Sequence, residues 1–434
     1  MTQKYNFADI CTAVLLAVTS WLYVSRLFMS RYWQESAYLL EQIGFTAVYL
    51  GAALWYMKRY ERKADKESLF YMIIVGMSSF WFVVQSVFPL TFSREIYLFN
   101  FVFMHGMAVY FLLCLSGKRA DDTLDEQVGF DLTRGGVVYP LKHFWRFIAA
   151  LASGFRRLNT KSPRIGKNGN RTVTQALAGV LIGVPVLCLV IPLLVSADES
   201  FAGFIRWIGN FFAHLPDIFH IPSAETFWRM GLTLLTSCYL FGMFYACAHE
   251  DKPEPVKARN VPGTVKNAFL MTIAGVYFLF FAVKLTGVLD AMVKSREGTM
   301  LYSQFAREGF FELCFVAAIN GFVFCIVRYY TKDIRGVTRK LLTILGVQTL
   351  AFVILAFYKM GMYINAYGFT FLRLFTSWFM IVLFVAFILL ILALFKKLPA
   401  IRWSVWFGCT TFLILTYTPL PMIIERLNQM YFII

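Results

Sequence analysis

Apolar residues in this chain gather in long uninterrupted blocks. They neither alternate as in a strand nor mark one stripe of a helix. A helix crossing the hydrocarbon core of a bilayer needs about 20 mostly apolar residues. Eleven blocks approach or meet that length: 10–28, 37–57, 69–88, 97–115, 176–195, 227–247, 268–289, 310–327, 341–358, 372–395 and 403–417. The pattern predicts an all-α fold, a polytopic transmembrane helix bundle of about 11 spanning helices. The first block is too long for the apolar part of a secretory signal, and no small-residue cleavage site follows, so it reads as a retained helix. Three regions result: residues 1–116 with helices one to four, 117–175 as a loop, and 176–434 with helices five to eleven.

Composition closes off the soluble alternatives. Hydrophobic residues fill 59% of the 434 positions and charged residues 15%, against about 25% charged in a soluble domain. The net charge of +16 would suggest nucleic acid in a soluble protein. Here the loops after even-numbered blocks hold 28 of the 41 basic residues and only 12 acidic ones, so the whole excess lies on one side. The positive-inside rule makes that side cytoplasmic, with the N-terminus inside and the C-terminus outside. Membrane topology thus accounts for the basic character, and nucleic acid has no remaining support. The 8 cysteines lie in or beside apolar blocks and form no CxxC pair, as structural thiols do.

The long fourth loop starts acidic and turns basic. Leu141, Phe144, Trp145, Ile148, Leu151, Phe155 and Leu158 recur in it at helical spacing, with Lys142, Arg146, Ser153 and Arg157 opposite. This predicts an amphipathic helix on the anionic inner leaflet, held by Lys142, Arg146, Arg156 and Arg157. The competing reading is a helix that caps the bundle from below.

Ionisable groups inside a bilayer are costly and usually face a cavity or a partner. Glu41, His105, Arg229, Lys284 and Glu312 fall in the outer halves of their blocks, with Gln85 and Asn100 at a similar level; the inner halves carry almost nothing comparable. Asn320 and Gln348 lie near mid-depth. The distribution predicts a polar vestibule opening outward, with Lys284 and Glu312 facing each other. Outside the fifth block, Asp198 and Glu199 form either an acidic pair or a helix cap. His214, Asp217 and His220 have a spacing that metal ligands use, but Pro216 and Pro222 interrupt the helix they would need, and no metal site is assigned. Two segments, 302–313 and 363–373, each lead from outside into a helix and carry Arg307 and Arg373 beside the helix N-terminus. Such an end receives an anion well.

Certain runs carry a family likeness: Ser196-Ala197-Asp198, the stretch from Tyr302 to Leu313, Ala366-Tyr367-Gly368-Phe369-Thr370 with Arg373, and the tail Ile424-Glu425-Arg426-Leu427-Asn428. On these the chain resembles bacterial polytopic membrane proteins classed as a domain of unknown function of the 4153/4173 type. The resemblance implies a multi-pass protein of the bacterial cytoplasmic membrane and brings no activity or cofactor with it. All four runs fall on the outer face of the charge-derived topology.

The leading expectation is a protein that binds or translocates an anionic solute or lipid head group. Its vestibule candidates are Asp198, Lys284, Arg307, Glu312, Tyr367, Thr370 and Arg373. One alternative is a sensor or accessory subunit that acts with a protein partner through the cytoplasmic loop. The other is an extracytoplasmic transferase, which the short outer loops disfavour. No catalytic residue and no cofactor is assigned, and the lipid bilayer is the partner common to all three readings.

Overall fold

The computed structural model describes residues 5–28, 37–88, 91–93, 95–121, 124–159, 224–254, 261–296, 310–329, Thr331 and 334–431, with Glu199 and Gly203. Within its helices the side chains of 26–28, 37–42, 158–159, 224–227, 284–285, 287–296, 310–314 and 329 are outside the described set. Every regular element among the described residues is helical. Helices stand at ten of the eleven expected blocks, and block 176–195 lies outside the described residues. Seven of the described helices are long and apolar enough to cross a membrane, or eight if one bent pair counts as a single span. The chain forms two compact units.

Unit 1 contains α1 (Phe7–Phe28), α2 (Ala37–Arg59), α3 (Lys66–Val87), most of α4 (Ile96–Ser116), and the segment from α5 to α8. That segment comprises α5 (Val128–Thr133), a π-helical turn (Arg134–Val138), α6 (Tyr139–Lys142), α7 (Arg146–Asn159) and α8 (Ala224–His249). Local chemistry fixes where the helices begin. The Asp9 carboxylate accepts the Asn6 N–H at 2.7 Å, closing the first turn of α1. At α3, Asp65 and Ser68 cap each other: each side chain takes the other's backbone N–H, at 2.7 and 2.9 Å. α1 lies against α2 and α8, and α2 against α3. The Thr46 and Ser79 hydroxyls join α2 to α3 at 2.5 Å, a bond that satisfies both groups where water is scarce.

The expected continuous helix 141–158 is broken. Lys142 ends α6, a turn covers 143–145, and α7 starts at Arg146. The break follows from close packing on α8. A Cβ on Gly242 would lie 2.7 Å from the Pro140 carbonyl oxygen, so only glycine lets the two backbones approach this far. Tyr239, one turn deeper, donates to the Gly136 carbonyl at 2.6 Å. α7 itself packs on α1 and α8, burying Phe147, Ile148 and Ala150. Leu141, Trp145 and Phe155 remain exposed, as do Phe130, Val137 and Val138 before them.

Unit 2 contains α9 (Gly263–Arg296), α10 (Phe310–Tyr329), α11 (Gly336–Tyr367), α12 (Phe371–Ala393), α13 (Ala400–Tyr417) and α14 (Leu420–Tyr431). α11 packs against α9, α10 and α12, and α12 against α13. Phe352 of α11 is fully buried among Tyr277, Phe280 and Phe281 of α9. Asn320 donates to the Thr349 hydroxyl at 2.7 Å, and Gln348 to the Ala274 carbonyl at 2.9 Å. The two mid-depth amides read from the sequence therefore join helices within the bundle. Val276, Phe278, Leu279 and Val283 of α9 and Ile344, Val347 and Ile354 of α11 are exposed. Contiguous apolar faces of this kind are sustained in lipid and are rare in water.

In each unit the basic loops meet at one end. In unit 1 the loop after α2 approaches the end of α4, with Arg62 3.9 Å from the Cβ position of Gly117, and Lys118 bonds the last residues after α8. In unit 2 Lys266 donates to Thr331 at 3.0 Å, Thr338 to Asn267 at 2.7 Å, and Arg339 lies over Phe395 at 5.6 Å. Arg328 pairs with Glu126 at that end.

Candidate functional site

The residues that carry chemistry in unit 1 converge on the C-terminal end of α8. Phe241, Tyr245 and His249 recur at four-residue spacing, so one face of α8 presents three rings in line. His249 stacks on Tyr245 with centroids 4.0 Å apart and planes 15° apart. The Arg146 guanidinium lies over the same ring at 5.4 Å, and His143 is 5.5 Å from it.

Two hydrogen-bonded groups flank this stack. The first centres on Asp9, which is buried. Tyr56 and Tyr60 each donate to its Oδ1 at 2.8 Å, and His249 Nε2 lies 3.0 Å from the Tyr60 oxygen and 3.8 Å from Asp9. The Tyr60 hydroxyl has one proton for two partners. His249 Nδ1 lies 3.1 Å from the Tyr245 carbonyl oxygen, which only accepts, so in the neutral ring Nε2 accepts from Tyr60 and Asp9 is left to Tyr56. Tyr60 gives its proton to Asp9 when Nε2 carries a second ring proton and donates to Tyr60. Burial and the Asp9 bond raise the Tyr60 hydroxyl well above the ordinary tyrosine range, so it stays protonated.

The second group centres on Glu250. Its Oε1 accepts from Lys142 Nζ and His143 Nε2, each at 2.7 Å, and its backbone oxygen accepts from Lys118. The Lys142 bond chiefly holds the Glu250 carboxyl below its ordinary range. Burial pushes His143 down, against the pull of Glu250, and burial followed by the nearby Arg62 charge pushes Lys118 down. His143 donates from Nε2, and its Nδ1 is buried without a partner among the described residues. The neutral ring therefore fits this place, and a second ring proton would have no acceptor. Arg157 donates to the Tyr5 carbonyl, and Arg146 to the Tyr5 hydroxyl at 3.5 Å.

Thus Lys142, Arg146 and Arg157, three of the four cations read as membrane anchors, bond protein groups, while the fourth, Arg156, is exposed. Charged groups are also buried just beyond the inner ends of the apolar blocks, a place the reading of charge within the blocks does not cover. Asp9, Glu67, Lys118, Arg119, Asp131 and His143 are all buried at or near the basic end of their units. Hydropathy windows missed them because each stands beside, and not within, an apolar block. One sequence signal was available: Asp9, His249 and Glu250 stand at the limits of apolar blocks whose charge pattern puts them on one side.

At the opposite end of unit 2 the structure places Tyr367, Thr370 and Arg373 around one turn. Gly368 ends α11 with φ +78°, and Asn428 of α14 closes on it. Asn428 Oδ1 accepts the Phe369 N–H at 2.7 Å and its Nδ2 donates to the Phe369 carbonyl at 3.0 Å. Arg373 Nη1 donates to the Tyr367 carbonyl at 2.9 Å and to the Gly368 carbonyl, while its guanidinium lies 4.1 Å from the Tyr363 ring centroid. Arg373 thereby satisfies the orphan carbonyls ending α11. Thr370 is the exposed N-cap of α12 and makes no side-chain capping bond. A groove of about 430 Å³ lies beside the turn, walled by Tyr358, Met362, Phe369 and Tyr431. The 75° bend between α13 and α14 turns the tail back toward α12 and onto this loop.

Of the other vestibule candidates, Asp198 and Arg307 lie outside the described residues, and Lys284 and Glu312 stand in α9 and α10 with side chains outside the described set. His214, Asp217 and His220 are also outside it. Arg229 donates to Ser25 at 2.6 Å and lies over Trp21 at 5.0 Å. No cluster of three metal-ligand side chains occurs among the described residues.

Two of the family-like runs, 366–370 and 424–428, thus form a single bonded structure. The chain belongs to the family described as a domain of unknown function (DUF4153), whose model matches residues 72–429. No curated protein and no solved structure matches it. The DUF4153 match takes in Lys118, Lys142, His143, His249 and Glu250, whereas Asp9, Tyr56 and Tyr60 precede it.

Proposed function

We infer that this DUF4153 protein is a sensor or accessory subunit of a bacterial cytoplasmic membrane, with its cytoplasmic segment 118–159 as the responding part. The observation that carries the reading is the doubly bonded carboxylate of Glu250. It ties two residues of that segment, Lys142 and His143, to the end of α8 through groups whose charge depends on pH. Protonating Glu250 would loosen both bonds, burial disfavours a charged His143 at this place, and a partner that offers another anion to Lys142 would compete for one of the bonds. The reading includes eleven spans with the N-terminus inside. It is supported by the meeting of the basic loops at one end of each unit and by the charge bias of those loops.

A second reading keeps the outward site for an anionic solute or head group. Its support is Arg373, a cation at the end opposite the basic loops that stands at the start of a helix. Nη1 of Arg373 is already taken by two carbonyls, which makes this the weaker of the two.

The sensor reading is tested with a single cysteine at Phe155 in a background free of native thiols, labelled by maleimide in inside-out vesicles. Labelling, divided at each pH by that of the same cysteine in denatured protein because the reactive thiolate becomes scarcer in acid, should rise as pH falls from about 7.5 to 5.5, the range in which histidine titrates. A rate that neither responds to pH nor changes with Glu250→Gln would refute it.

A further inference from the structure

Unit 1 carries an open pocket of about 500 Å³ that neither group on α8 uses. Its wall is mostly rings: Tyr23 of α1, Phe45 of α2, His105 of α4, Tyr239 of α8 and, from the cytoplasmic segment, Phe144. His105 lies roughly 16 Å along α4 from Ser116. The pocket therefore sits at the depth of the hydrocarbon, and a ligand would enter it from the bilayer.

His105 decides what such a ligand must offer. Its Nδ1 lies 2.7 Å from the Phe101 carbonyl oxygen, which can only accept, so Nδ1 carries the ring proton. The neutral ring then has a bare lone pair on Nε2, and that atom is buried with no hydrogen-bond partner among the described residues. A buried acceptor left empty is costly, and a donor arriving beside it recovers that cost. The missing partner is an O–H or N–H. The surrounding rings favour a flat aromatic body over a bare chain, through edge and face contacts beyond simple burial. A pocket of this volume, mostly apolar with a few polar groups, His105 and Thr236 among them, is of the kind that holds small ligands.

We propose that this pocket binds a membrane-soluble phenol or hydroquinone. The ring lies among Tyr23, Phe45 and Tyr239, the hydroxyl donates to Nε2 of His105, and the apolar tail extends into lipid. Phe144 directly follows His143, so occupancy also bears on the Glu250 bonds. That consequence rests on the sensor reading; the binding does not.

The test uses full-length protein in lipid nanodiscs and three probes: 4-octylphenol, its methyl ether 4-octylanisole, and 1-decanol. Thermal unfolding and intrinsic fluorescence report binding. The phenol should bind saturably, and the ether, which has lost the donor, about tenfold more weakly. Decanol, a donor without a ring, should also be weaker than the phenol. His105→Phe should bring phenol and ether to equal affinity. Should that variant fail to fold, the phenol–ether comparison on the unaltered protein still decides, and Phe144→Ala should weaken all three by removing one wall. Absence of saturable phenol binding, equal affinity for phenol and ether, decanol matching the phenol, or a tenfold preference retained in His105→Phe would each overturn the proposal. Phenol that binds as expected but leaves labelling at Phe155→Cys unchanged would refute the sensor reading and leave this site intact.

Discussion

His143 donates from Nε2 to the Glu250 carboxylate at 2.7 Å, a bond between residues 107 positions apart. Acid acts on its two ends differently: protonating Glu250 removes the acceptor charge, whereas a charged His143 would still donate to Glu250 and is opposed by burial. Burial lowers the His143 pKa, so the folded state favours the neutral ring. The stability this contributes is present above the unfolded value of about 6.5 and is lost as pH falls through the folded value. The Glu250 pKa is lowered too, chiefly by Lys142, so its contribution is present above about 4.3 and is lost further down. Thermal unfolding should therefore show stability falling from pH 7.5 toward 5.5, with the fall reduced in His143→Gln. A variant with the same slope as the unaltered protein would contradict the assignment.

The ion pair itself should contribute little. The Lys142 side chain is 57% exposed and that of Glu250 28%, so solvent screens them. A double-mutant cycle with Glu250→Gln and Lys142→Met should give a coupling of about 1 kcal/mol or less. A coupling several times larger would mean the pair is far drier than described.

Gly242 controls how closely the segment approaches α8. The Cβ of an alanine there would lie 2.7 Å from the Pro140 carbonyl oxygen, a backbone atom that cannot yield as a flexible side chain would. Gly242→Ala should push 139–143 outward, weaken the Tyr239 bond to Gly136, and destabilise unit 1 by about 1–3 kcal/mol. Wild-type stability in urea titration would show that the close contact is not maintained.

The turn at Gly368 gives an independent test in unit 2. An alanine there would face both a positive φ of 78° and a Cβ 2.8 Å from Asn428 Oδ1. Gly368→Ala should cost about 1–3 kcal/mol, and Asn428→Ala about 1–2 kcal/mol for its two backbone bonds. Combined, they should cost less than the sum, since the second change removes the atom the first one strikes. Simple addition would show that α14 does not close on this turn.

The helices were legible because apolar length alone signals a span. The Gly368 turn was legible in part: the Ala366–Thr370 and Ile424–Asn428 runs were recognised, but nothing in their spacing shows that Asn428 brackets Phe369. The α8 hub was missed for a physical reason. Hydropathy finds charge within apolar blocks, whereas Asp9, His249 and Glu250 stand at block ends, where charge usually means exposure. Asp9 is buried there, with Tyr56 and Tyr60 bonding it, and Glu250 is bonded by Lys142 and His143, which Gly242 and the interruption at 143–145 bring to α8. The amphipathic pattern of 141–158 fitted both a membrane surface and a protein surface, and Phe147 and Ile148 against Trp145 and Phe155 divide between the two.

Sidedness can be checked without reference to any function. Single cysteines at Lys63, in the loop after α2, and at Gln429, in α14, should react oppositely with an impermeant maleimide in intact cells, with Gln429 labelled and Lys63 protected. Labelling of Lys63 from outside would reverse the orientation and with it the placing of the hub in the cytoplasm.

Hydrogen exchange measures most directly whether Glu250 holds segment 118–159 on α8. In nanodiscs at pH 7.5, Glu250→Gln should speed exchange in α7, residues 146–157, about fivefold, the equivalent of roughly 1 kcal/mol of local stability. Exchange in α3, which the carboxylate does not touch, should be unchanged. Equal protection of α7 in the variant and the unaltered protein, or a rise shared uniformly by α3 and α7, would contradict the account.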